Sequence, residues 1–110
     1  MARQDIGDED FCRALPDTDP ELLKETRRAV AGFFGVPEGK LHPSDRFKCD
    51  LGCDRVEATF FASVILKVLA HRGLDAEPFQ FETTGIDRFP ELVAEISRVI
   101  CSLEHPENEV

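Results

Sequence analysis

Apolar residues recur at three- and four-residue spacing in three stretches of this chain, with polar and glycine-containing segments between them. In the first stretch Leu22, Leu23, Thr26, Ala29, Val30, Phe33 and Phe34 share one side, while Glu21, Lys24, Glu25, Arg27 and Arg28 take the other. That spacing predicts an amphipathic helix from about Pro20 to Phe34. Asp19 is placed to cap it, Pro20 fills the first helical position, where a missing N–H costs nothing, and Gly35 supplies the left-handed residue that ends it. A second helix is predicted from Asp54 to Arg72, stopped by Gly73, with Asp54 and Glu57 as a capping pair. Phe61, Val64, Ile65, Val68 and Leu69 form its inner stripe. At about 100° per residue, Val56, Thr59, Phe60, Ser63, Leu66, Lys67 and Ala70 are assigned to the opposite face. A face with a single charge and several large apolar groups is either buried or an interface. The last stretch, Leu92, Val93, Ile96, Val99, Ile100 and Leu103, predicts a helix from about Pro90 to Leu103.

The connecting segments differ in length and character. Residues 36–53, VPEGKLHPSDRFKCDLGC, form a long loop punctuated by Pro37, Gly39, Pro43 and Gly52, with Leu41, Phe47 and Leu51 as its pins to the core. Residues 74–88 form a second loop with a short helical turn around Thr84 to Arg88, and nothing reads as a strand longer than Pro78 to Phe81. Residues 1–19 are an acidic arm that Ile6, Phe11 and Leu15 can dock as a short helix ending at Pro16, and residues 104–110 read as a disordered acidic tail. The expectation is therefore an all-α domain over residues 20–103: a four-helix bundle of three amphipathic helices and a short one, with a long loop between its first and second main helices.

Charge and chemistry narrow the function classes. The 110 residues carry 13 Lys and Arg against 22 Asp and Glu, a net charge of −9, which disfavours sequence-independent binding to nucleic acid or anionic lipid and favours a basic protein partner or simply solubility. No apolar run approaches the roughly 18 residues of a membrane span. The first ten residues hold no apolar signal region, which points to a cytoplasmic protein whose four cysteines are reduced. Cys49 and Cys53 stand alone as C-x3-C, without the second close pair a zinc site requires, and His42, His71 and His105 are scattered, so no metal is expected. Cys53 precedes a helix start, where a thiolate is favoured, but Asp50 and Asp54 oppose its ionisation. There is no nucleophile with a partnered base and no glycine-rich phosphate loop, so no catalytic residue and no enzyme is expected.

Two segments carry a family resemblance. Leu41-His42-Pro43-Ser44-Asp45-Arg46-Phe47, then Asp50-Leu51-Gly52-Cys53-Asp54-Arg55-Val56-Glu57, resemble the approach to the second helix in acyl and peptidyl carrier proteins, where D-L-G-x-D-S-L-(D/E) is the pattern. Phe89-Pro90-Glu91-Leu92-Val93-Ala94-Glu95-Ile96 is similar to the start of the family's last helix. The resemblance implies the carrier fold over residues 20–103. It also shows a departure. In carriers the residue after the second Asp is the serine that holds phosphopantetheine, at a helix N-terminus suited to a phosphodiester. Here that position is Arg55, which has no nucleophilic oxygen, and the nearest hydroxyl, Thr59, lies a turn further in. The implied protein keeps the fold, has lost the prosthetic-group site and binds no cofactor.

The resemblance implies a second change. Carriers keep the outer face of this helix acidic for docking, whereas Phe60 and Leu66 stand here where carboxylates are usual. The function expected is thus a non-enzymatic, carrier-like interaction module linked to fatty-acid, polyketide or lipid biosynthesis. Asp54, Arg55, Val56, Thr59, Phe60, Ser63 and Leu66 are its candidate contact residues, covered by a protein partner or by self-association through the second helix. A working carrier, modified at an atypical residue or holding its cargo non-covalently in the bundle core, and a homodimeric structural module are the alternatives, and Phe60 and Leu66 covered by the N-terminal arm is a third arrangement of the same residues.

Overall fold

A computed structural model describes residues 5–47, 58–77, 81–83 and 85–104. The described chain is all-helical. In order come α1 (Asp8–Arg13), α2 (Pro20–Phe34), a single 3-10 turn (Glu38–Lys40), α3 (Ala58–His71) and α4 (Phe89–Glu104). Among the described residues β-pairing is limited to one isolated antiparallel bridge between Arg46 and Arg88.

The ends of α2 follow from local chemistry. Asp19 Oδ1 accepts from the Glu21 N–H at 3.0 Å, satisfying one of the free donors at the helix start. At the other end Gly35 takes φ +69°, a left-handed conformation that costs glycine little, and the Val36 N–H donates back to the Ala31 carbonyl. α3 ends by the same device at Gly73, where the Leu74 N–H returns to the Leu69 carbonyl. The start of α4 is closed by Glu91, whose Oε1 accepts from the N–H groups of Asp87 and Arg88, each at 2.8 Å.

α2 and α3 lie antiparallel: Phe33 near the end of α2 meets Phe60 near the start of α3, and at the opposite end Arg72 just past α3 donates to Glu25 of α2. α2 also packs along α4, so it is the central helix of the bundle. Leu22, Leu23, Ala29 and Val30 of α2, Phe61, Ile65 and Leu69 of α3, and Leu92, Ile96 and Val99 of α4 close the core. The long connection after α2 is pinned where expected, by buried Leu41 and Phe47, while the third pin, Leu51, falls outside the described residues. The Phe47 N–H donates to the Asp87 carbonyl, tying this connection to the one that precedes α4.

One expectation about elements needs correction. No helical turn forms around Thr84 to Arg88 among the described residues. Gly85 takes φ +87°, and the Asp87 and Arg88 N–H groups face the Glu91 carboxylate, so the segment is a turn leading into α4. The fourth helix of the described chain is the short one expected in the N-terminal arm, α1, which ends at Arg13, short of Pro16. The expected start of the second helix at Asp54, with the Asp54–Glu57 capping pair, lies outside the described residues, as do Pro78 to Gln80 and residues 105–110.

Candidate functional site

Of the candidate contact residues, Asp54, Arg55 and Val56 lie outside the described residues, and Thr59 sits in the first turn of α3. Ser63 is exposed and Leu66 half-buried. Phe60 is the correction: it is only 3 % exposed and belongs to the core. Its ring lies 4.7 Å from that of Phe33, 5.3 Å from Phe34, 5.7 Å from Phe47 and 4.9 Å from Phe61, mostly in edge-on or tilted geometry. The reason is angular. Phe60 precedes Val64 by four residues, so the two are only about 40° apart around the helix, and Phe60-Val64-Val68 forms one margin of the buried stripe rather than its opposite. The face of α3 turned to solvent carries Ser63, Lys67 and Ala70. It is small and polar, not the apolar docking face expected. Four phenylalanines surround Phe60, while the arm's own Phe11 packs on Phe89.

The exposed apolar surface is displaced to the end of α2, where Phe33 is 51 % and Val36 39 % exposed. Beside Phe33 runs a shallow groove between α2 and α3, lined by Ala29, Gly32, Phe33, Ser63, Val64 and Lys67. Lys67 crosses it: a Cβ added at Gly32 would stand 2.9 Å from the Lys67 amine. The missing side chain at position 32 is thus what lets the lysine lie down on α2.

The strongest polar constellation lies on the other side of α2 and was not foreseen. Arg27 was assigned to the polar face, yet it is 1 % exposed. Its Nη1 donates to Asp8 Oδ1 at 2.8 Å, and its Nη2 donates to the carbonyls of Ile6 and Leu41. Its guanidinium carbon lies 4.3 Å from the centre of the Phe11 ring, a cation–π distance. Its Nε is buried without a hydrogen-bond partner. Phe11 is fully buried and meets Phe89 edge-on at 5.1 Å. The Ile6 N–H donates to the Gly39 carbonyl, and Lys40 pairs with Asp5 at 2.8 Å. One signal in the sequence points to this: Arg27 follows Leu23 by four residues and precedes Val30 by three, both core positions, so its stem must run along the buried stripe.

Two titrating groups are perturbed. Burial pushes the Cys12 thiol above its ordinary range; Lys24 acts against the rise and Asp8 with it. Burial alone would also raise Glu95, but hydrogen bonds from Arg98 and from the Glu82 N–H, with the Arg98 charge, hold its carboxyl below the usual carboxylate range. Cys12 and Cys101 are free thiols, while Cys49 and Cys53 lie outside the described residues. Among the described residues no three His, Cys, Asp or Glu side chains are placed to hold a metal ion, and no helix is long and apolar enough to cross a membrane. Comparison with family models, with curated proteins and with solved structures finds no match to this chain.

Proposed function

We propose that the chain is a carrier-like helical protein without a phosphopantetheine site that acts as a protein-interaction module, with no catalysis of its own, in fatty-acid, polyketide or related lipid biosynthesis. The observation that carries the reading is Arg55 directly after the D-L-G-x-D segment, where attachment would need a hydroxyl. The arrangement of elements supports it: a 15-residue α2, a long connection pinned by Leu41 and Phe47, then α3 just beyond that segment, and finally α4. Contact with a partner is assigned to the segment ahead of α3 in the sequence, which carries Asp54, Arg55 and Val56, and to the exposed Phe33, Val36 and Ser63. The apolar part of that surface is the end of α2 rather than α3 itself.

The test is the intact mass of the protein after incubation with coenzyme A and a broad-specificity phosphopantetheinyl transferase. The expected result is an unchanged mass beside a fully converted carrier control. A phosphopantetheine adduct on the chain would overturn the reading and make the protein a working carrier.

A further inference from the structure

The seat of the N-terminal arm has the make-up of a recognition site whose present occupant is a segment of the same chain. α1 is six residues long, too short to hold helical form alone in water, so its order comes from the body it rests on. Asp8 and Phe11 are three residues apart and therefore share one face of the turn. The body meets them with complementary chemistry drawn from three elements. α2 supplies Arg27, the 3-10 turn and the residue after it supply Gly39, Lys40 and Leu41, and α4 supplies Phe89. Two of these groups are held by contacts the arm does not make. Phe89 packs on Phe47 at 5.1 Å, and Leu41 is pinned in the core.

The polar part of the seam can be exchanged for water or for a similar ligand. With the arm lifted, Arg27 keeps the Leu41 carbonyl, and the rest of its guanidinium meets water, including the Nε that lacks a partner while the arm is seated. Asp8 is already partly exposed. Parting would wet Phe11 and the Phe89 ring it meets, together with the half-buried Ile6 and Leu15, and this apolar contact is what keeps the arm seated in the absence of a competitor. The chain between α1 and α2 includes Pro16, and the α2 cap is made by Asp19, six residues beyond the end of α1. Finally, the seat presents Arg27 and Lys40 on a protein whose net charge is −9, so it is a local cationic site suited to an acidic ligand.

We propose that this seat is a docking site for a short acidic helix of a partner protein, bearing an aspartate three residues before a phenylalanine, and that the chain's own arm is its resident, displaceable occupant. This is independent of the surface discussed for residues 50–66 and of the loss of the phosphopantetheine site. The tethered arm competes at an effective concentration of about a millimolar, so a partner segment gains the seat by bringing contacts beyond these two anchors.

The probe is a labelled peptide of residues 5–15, measured by fluorescence anisotropy against the full-length protein and against full-length Asp8→Ala/Phe11→Ala, in which the arm has lost its anchors. The expected result is binding to the variant at least about tenfold tighter than to the unaltered chain, abolished when the peptide's own Phe11 is replaced by Ala. No binding to a folded variant, or equal binding to both proteins, would overturn the proposal. A doubling of particle mass as the concentration of the unaltered chain rises would give the seat to the arm of a second copy and likewise overturn it. If the variant does not fold, amide exchange on the unaltered protein decides. The Phe11 and Ala14 amides should exchange at least a hundredfold faster than those of Leu23 or Ile96, and equal rates would mean that the arm opens only with the whole fold.

Discussion

Two regions of this molecule bury phenylalanine rings by opposite means. At the junction of α2, α3 and the long connection, Phe34, Phe47, Phe60 and Phe61 pack on one another with Phe33 at the margin, and ring meets ring. At the seat of the arm a single ring, Phe11, lies between Phe89 and a buried guanidinium. The first junction is built almost entirely of apolar contacts, so parting it wets several rings at once at roughly 25 cal/mol for each Å² exposed. The second buries one ring pair, Phe11 on Phe89, and is otherwise stitched by hydrogen bonds and charge, whose members find replacement partners in water, so parting it costs less than parting the first. The same residue type therefore marks a permanent joint in one place and a separable one in the other.

The largest effect expected is at the aromatic junction. Phe60→Ala should cost about 3–5 kcal/mol in denaturant unfolding, matching Phe61→Ala, because both leave cavities in a filled core. A loss below about 1 kcal/mol for Phe60 alone would mean that its ring turns outward and would dissolve the contrast.

Arg27→Ala comes next. It removes the buried guanidinium with its three hydrogen bonds, and a loss of about 2–3 kcal/mol is expected. Arg27→Met, which keeps the stem and discards the charge, should cost clearly less, since an apolar replacement of a buried ionic group is often near neutral. In both variants, limited proteolysis should first cut the chain between residues 5 and 19 while α2 to α4 stay protected. Equal susceptibility throughout would place Arg27 in the joint that holds the whole bundle.

The smallest effect separates the regions by pH. The Cys12 thiol, raised by burial, holds its proton more tightly folded than unfolded. Its contribution is fully present below the ordinary thiol range and is lost as pH rises through the raised value. From about pH 9 upward the amides of α1 should therefore lose protection while those around Phe60 and Phe61 do not. Cys12→Ala should remove that slope, and a slope unchanged in this variant would assign it to another group.

How much of this was legible in the sequence differs between these same regions. The bounds of α2 could be read to the residue, and α4 to within one residue at each end, because caps, proline and glycine fix helix ends by local rules. The docking of Phe11 was legible as an apolar residue in an acidic arm. Its partner was not, because a charged residue in a helical pattern is assigned to solvent, and the acceptors for Arg27 are a carboxylate 19 positions away and two carbonyls. Phe60 failed for a related reason. A stripe read from five positions was taken as narrower than it is, and a residue at its margin was assigned to the far side. In both cases the missing information was tertiary: how wide a face its neighbours cover.

The contact between Phe47 and Asp87 has a consequence for the order in which the chain assembles. The helices are built from local contacts, which form early, whereas this hydrogen bond and the Arg46–Arg88 bridge close a loop that contains all of α3. Closing that loop has an entropic cost, which is recovered only once α3 and α4 are docked. The tie therefore belongs to the native side of the folding barrier. Weakening it should steepen the escape from the native state and leave refolding nearly untouched, so it acts less as a determinant of the fold than as a brake on leaving it.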